Sequence, residues 1–99
     1  MVEINWSFQS IEDINNIAEY IAKDSKKYAV LQTERIFSRV AILEKSPLSG
    51  RIVPELNIPK FREVILGNYR IIYKIVSKKR IDILTVHHSA RLLPKDRFR

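Results

Sequence analysis

The stretch FREVILGNYRIIYKIVSKKRIDILTVHH, residues 61–88, decides the fold. It is dense in β-branched and aromatic residues, which pack well on a pleated surface. Two polar interruptions divide it. Gly67-Asn68 reads as a tight hairpin turn, because glycine enters the positive-φ region that a two-residue connection needs. Ser77-Lys78-Lys79-Arg80 reads as the next turn. Strands are therefore predicted over Phe61–Leu66, Tyr69–Val76 and Ile81–His88, a meander of three. Period-two alternation sends Arg70, Ile72, Lys74 and Val76 to one side of the middle strand, and Tyr69, Ile71, Tyr73 and Ile75 to the other. The same rule groups Asp82, Leu84, Val86 and His88 on the last strand, with Ile81, Ile83, Thr85 and His87 opposite.

Upstream, the pattern changes period. Ile11, Ile14, Ile17/Ala18 and Ile21/Ala22 recur at helical spacing as far as about Lys23. Ser7 or Ser10 can cap this helix, and Glu12 and Asp13 are expected in its first turn, where negative charge complements the helix dipole. Asp24-Ser25 interrupts the pattern and supplies a new cap. Ala29/Val30, Thr33, Ile36/Phe37, Val40 and Leu43 then form a second stripe, on a helix running to about Lys45. A join this short predicts an antiparallel helical hairpin. Ser46-Pro47 and Gly50 end it, and residues 51–60, with Pro54 and Pro59, read as an irregular connection. Val2–Trp6 alternates apolar and polar residues, as a half-buried strand does. The expected fold is α+β in the order β-α-α-β-β-β. Its N-terminal strand and helical hairpin pack on one face of a small, mainly antiparallel sheet.

Composition sets the outer bounds. Ninety-nine residues, 45% of them apolar, suit one folded domain over 1–99 with a single core. No long apolar run and no charged-then-apolar leader is present, so neither a membrane span nor a signal peptide is expected. The chain has no cysteine, which removes thiolate chemistry and suits a reducing cytoplasm. Its net charge of +7 is unevenly spread. Residues 1–50 hold six Lys/Arg and seven Asp/Glu, whereas residues 51–99 hold twelve and four. A basic field confined to one half is the footprint of a polyanion or of an acidic protein partner.

In an antiparallel meander, Arg70 lies across from the end of the last strand, near His87 and His88. Adjacent histidines on a strand face opposite ways and, with no thiolate, give no usable metal-ligand set, so no metal or cofactor is expected. The connection before the meander adds Arg51 and Glu55. A carboxylate, an arginine and a histidine are a sufficient kit for cleaving RNA. One group takes the 2′-hydroxyl proton, another protonates the leaving oxygen, and the guanidinium stabilises the charge between them. The same residues equally suit structural ion pairs. Trp6, Phe61, Tyr69 and Tyr73 can serve either as stacking platforms for bases or as core. The turn Lys78-Lys79-Arg80 and the tail cations Lys95, Arg97 and Arg99 can contact phosphates or simply be solvated.

Together these residues resemble the RelE/ParE superfamily of bacterial toxins. The matching features are Trp6-Ser7, Asp13-Ile14-x-x-Ile17-x-x-Tyr20-Ile21-Ala22, Gly50-Arg51-x-x-Pro54-Glu55, Arg62-Glu63, Tyr69-Arg70-Ile71-x-Tyr73 and Val86-x-His88-x-x-Arg91. They span nearly the whole chain in the family's order. The resemblance implies a toxin paired with a cognate antitoxin, in a hetero-oligomer where an acidic or amphipathic antitoxin segment wraps the toxin.

Two activities follow from the two branches of that superfamily. The RelE-like branch cleaves messenger RNA on the ribosome; carried onto this chain, it makes Glu55, Arg70 and His88 catalytic, as base, phosphate-stabilising cation and acid. Ser89 stands where some members of that branch carry a tyrosine, and Lys60 and Lys74 are the nearest substitutes for its lysines. The ParE-like branch binds and poisons DNA gyrase. The long hairpin and the tail beyond Arg91 look more like this second branch, and the reading leans to it. Arg51, Arg62, Lys74 and Arg91 are the expected contacts to nucleic acid or target. A third reading is a basic nucleic-acid-binding module without toxicity.

Overall fold

The computed structural model of the chain describes residues 1–89 together with Arg91, Leu93 and Phe98. The tail cations Lys95, Arg97 and Arg99 lie outside these described residues. Strand β1 (Glu3–Trp6) leads into helices α1 (Phe8–Ala22) and α2 (Lys26–Ala41), the second extended by a 3-10 turn over Ile42–Glu44. A two-residue strand, β2 (Arg51–Ile52), precedes the meander β3 (Phe61–Leu66), β4 (Tyr69–Ser77) and β5 (Arg80–His88). One five-stranded sheet results, in the order β1-β5-β4-β3-β2. Pairing is antiparallel except at β1, which runs parallel to β5. The α+β architecture is the expected one. The addition is β2, which turns part of the predicted irregular connection into an edge strand.

Local chemistry explains the boundaries. Ser7 is extended, and its Oγ accepts from the Ser10 N–H at 3.1 Å, which caps α1. Ser10 is instead fully buried and donates back to the Ser7 carbonyl at 2.8 Å. Ser25 caps α2 in the same way through the Tyr28 N–H. With α1 starting at Phe8, Glu12 and Asp13 fall beyond its first turn, so the expected dipole role does not apply. Gly67 carries φ +58° at the first position of the β3–β4 turn, where any other residue is strained.

The sheet has two cores. On one face Ile14, Ile36, Val40 and Leu43 pack from the helices onto Val64, Ile71, Tyr73, Ile81, Ile83 and Val86. On the other face Val53, Phe61, Ile72 and Leu93 form a smaller cluster with Leu56, Leu84 and Phe98. Burying each such aliphatic side chain contributes about 1.5–3 kcal/mol.

The predicted alternation holds on β4 from Tyr69 to Ile75, where a second irregularity leaves Val76 unpaired, and fails on β5. Ile72 pairs with Thr85 but Tyr73 pairs with Ile83, so Leu84 is an extra residue in the ladder. This β-bulge reverses the alternation. Ile81, Ile83 and Val86 all face the helices, and Leu84 joins the opposite cluster. Among the described residues no helix is long and apolar enough to cross a membrane.

Candidate functional site

The helix-free face of the meander carries four charged side chains in one network. Glu63 on β3 and Arg70 on β4 lie on this face, two registers apart across a short hairpin. Glu63 Oε1 accepts from Arg70 Nε at 2.6 Å, and Glu63 Oε2 accepts from Arg51 Nε at 2.6 Å. Arg70 Nη1 and Nη2 then donate to the two oxygens of Glu55 at 2.6 and 2.8 Å. Side-chain exposure is 62% at Arg51, 26% at Glu55, 9% at Arg70 and nil at Glu63. A carboxylate this deep requires charged partners, since an unpaired buried charge is too costly to keep. Two guanidiniums and two carboxylates cancel.

The network fixes protonation states. Hydrogen bonds from Arg70 hold the Glu55 carboxyl at a pKa of about 2, against an ordinary 4.5, and outweigh the opposing effect of burial. Arg70 is pushed upward by the same bonds with Glu55, then by Glu63. A general base works best with a pKa near the operating pH. Glu55 is far from that, and every nitrogen of Arg70 is already engaged.

The predicted catalytic residues are only partly brought together. Glu55 and Arg70 meet. His88 lies on the opposite face, opposite Tyr69 in the ladder, with the two rings edge to face at 5.7 Å. The cross-strand neighbour of Arg70 is His87. Arg51 joins the network, but Arg62 donates to the carbonyls of Pro59 and Gly50 at 3.0 and 3.1 Å and ties down the preceding loop. The Nζ atoms of Lys60 and Lys74 lie 5.5 and 5.9 Å from the Phe61 ring centre. Arg91 is exposed and lines a cleft of about 760 Å³ between α1 and the end of the meander. Phe61 and Tyr73 are core, while Trp6 packs against Phe37 at 4.8 Å. Among the described residues no three His, Asp or Glu side chains cluster to hold a metal ion.

The helical hairpin also carries a largely apolar groove. Ala18, Ala22, Ala29 and Val30 line a shallow groove between α1 and α2, of about 470 Å³, with Glu19, Lys26 and Glu34 around it. A model of the ParE toxin of the type II toxin–antitoxin system parDE matches residues 4–93. The chain belongs to the ParE toxin family. Consistent with that membership, it is 32% identical over 94 residues to "Putative toxin Y4kP" of Sinorhizobium fredii (strain NBRC 101917 / NGR234), covering 93% of each chain. Its fold is that of a solved chromosomal ParDE toxin–antitoxin system from P. aeruginosa. That match has a TM-score of 0.73 at 21% identity and covers 89% of this chain and 96% of the other.

Three residues organise this ParE-family chain through contacts that the sequence reading did not foresee. Glu63 could have been found by counting outward from the Gly67-Asn68 turn, which sets it diagonally across from Arg70. Tyr73 is core, as its alternation says, yet its hydroxyl also accepts from the Gly50 N–H at 3.0 Å and donates to the Pro47 carbonyl at 2.8 Å. Asp13 leaves the helix surface to accept from the Thr85 hydroxyl and the Val86 N–H, clamping α1 to β5 beside the bulge. Those two links join segments far apart in sequence, and no local pattern signals them.

Proposed function

We propose that this ParE-family toxin arrests growth by poisoning DNA gyrase, with no RNA-cleaving chemistry of its own. The observation that carries the reading is the engagement of Arg70. Its guanidinium is spent on Glu55 and Glu63, and His88, the acid that the RelE-like reading requires, stands on the other face of the sheet. A toxin without an assembled acid, base and free cation acts by binding, and the family's gyrase-directed branch acts that way.

A cognate antitoxin is the second partner in this reading. The apolar groove of the hairpin suits an amphipathic segment, and the +8 balance of residues 51–99 suits acidic side chains beside it. Gyrase is a cytoplasmic target, so a cytoplasmic location belongs to the same proposal.

The test is incubation of the purified chain with gyrase and supercoiled plasmid, run beside a translation reaction with a defined message. Accumulating cleaved DNA complexes with intact message is the expected result. Unchanged supercoiling without cleaved complexes overturns the gyrase proposal. Cuts within codons of the translated message make the chain a RelE-like nuclease instead.

A further inference from the structure

The cleft between α1 and the open end of the meander has no part in the ion network or in the hairpin groove. The geometry points to a nucleotide-binding cleft there, one that holds a base between tyrosines and a phosphate at its cationic rim. This goes beyond the gyrase proposal and does not depend on it.

Three features of the cleft select a ligand of this chemistry. The first is aromatic. Tyr20 stands on the α1 wall, 71% exposed, and Tyr69 on the sheet wall is half-buried. Exposed or half-exposed rings on two walls of one cleft are what an unstacked base requires, because every base has a face to stack. Phe61 and Tyr73, by contrast, are sealed in the cores.

The second feature is charge. Arg91 lines the same cleft, and Lys23 Nζ sits 5.8 Å from the centre of the Tyr20 ring. Among the described residues the one carboxylate in the lining is Asp13, and its oxygens are taken up by Gln9, Thr85 and the Val86 N–H. A phosphate therefore meets cations here, with the local negative charge already turned inward onto donors.

The third is polar selectivity. Asn16 and Asn68 place carboxamides in the lining, each with a donor and an acceptor for a base edge. The volume, about 760 Å³, lies within the usual range for small-molecule sites.

A free nucleotide and an unpaired nucleotide within a strand share this chemistry, and calorimetric titration of the full chain separates them. The probes are adenosine 5′-monophosphate, adenosine, inorganic phosphate and a single-stranded oligonucleotide. The monophosphate or the oligonucleotide binds, and adenosine and phosphate alone bind at least about tenfold more weakly. A saturable mononucleotide isotherm assigns a free ligand, and binding of the oligonucleotide only assigns a strand.

Tyr20→Ala lowers the affinity roughly 10- to 100-fold, the range that one base–aromatic stack carries. Arg91→Gln weakens the phosphate-bearing probes and leaves adenosine unchanged. Both side chains are exposed, and an unchanged thermal midpoint verifies that each variant folds. Lys27→Gln, on the exposed surface of α2, is the control and binds as the parent does. Absence of binding by both nucleotide probes overturns the proposal, and so does binding that neither Tyr20→Ala nor Arg91→Gln alters.

Discussion

Glu63 Oε1 accepts a hydrogen bond of 2.6 Å from Arg70 Nε, joining a wholly buried carboxylate to a guanidinium on the next strand. The β3–β4 turn makes this possible. Two residues at Gly67-Asn68 set Ile65 opposite Arg70 and Glu63 opposite Ile72, so the charged pair meets on the diagonal.

Removing one member of such a pair leaves the other charged in a dry site. Arg70→Ala is expected to lower the unfolding free energy by about 3–5 kcal/mol, read from urea denaturation. Arg70→Lys does not restore it, since an ammonium cannot bridge two carboxylates in a fixed fork. Loss of activity in an Arg70 variant is therefore interpreted only beside its melting curve.

Glu55 makes stability depend on acid. Its carboxyl titrates at about 2 when folded and at about 4.5 when not. The unfolded chain takes up the proton first, so the contribution of Glu55 is complete above about pH 4.5 and fades as pH falls towards 2. Solvent screening at a partly exposed side chain limits the effect to on the order of 1–2 kcal/mol. Comparing stability between pH 5 and 2 for the parent and Glu55→Gln tests this, and the variant shows a shallower decline.

Gly50 and Tyr73 form a second fixed contact. A Cβ on residue 50 would sit 2.5 Å from the Tyr73 hydroxyl and 2.7 Å from the Glu63 carbonyl oxygen. Gly50→Ala is thus expected to cost about 1–3 kcal/mol through overpacking. Tyr73→Phe costs a similar amount by stranding the buried Gly50 N–H, about 1–3 kcal/mol. The two effects do not add in the double variant, because the substitutions meet at one point.

Asp13 predicts a local opening. Asp13→Ala removes the acceptor for Thr85 and for the Val86 N–H, with an expected loss of about 1–3 kcal/mol. Amide hydrogen exchange should accelerate at Val86 and along the adjoining part of α1, ahead of the sheet centre.

On the proposed partner surface, Val30→Glu puts a charge in the hairpin groove at a position already 59% exposed. The thermal midpoint stays where it was. Affinity for the cognate antitoxin drops by at least about tenfold, a loss of about 1.4 kcal/mol, measured by calorimetry.

Most of the architecture was legible because it is local. Turn chemistry at Gly67, the caps at Ser7 and Ser25, and period-two alternation in β4 each follow from neighbouring residues. What stayed hidden is non-local. Nothing in Ile81–His88 announces the extra residue at Leu84, because a bulge is defined by the partner strand, and this one sent His88 to the helix face with Val86 and Ile83. Glu55 and Arg70 were legible as charged candidates. That they hold each other was not, since the loop over residues 53–60 has no period from which to place Glu55. The parallel partner of β1 was equally invisible, as pairing across the length of the chain leaves no mark on either strand.

That last pairing governs when the molecule comes into being. The β1 strand is made before the other four strands described, yet the strand it joins is β5, and the Ser7 hydroxyl waits for the Leu84 carbonyl 77 positions later. Contacts of such long range slow folding and cannot form on a partly made chain. The sheet therefore cannot close before β5 has been made, and the surface built on it waits for that strand.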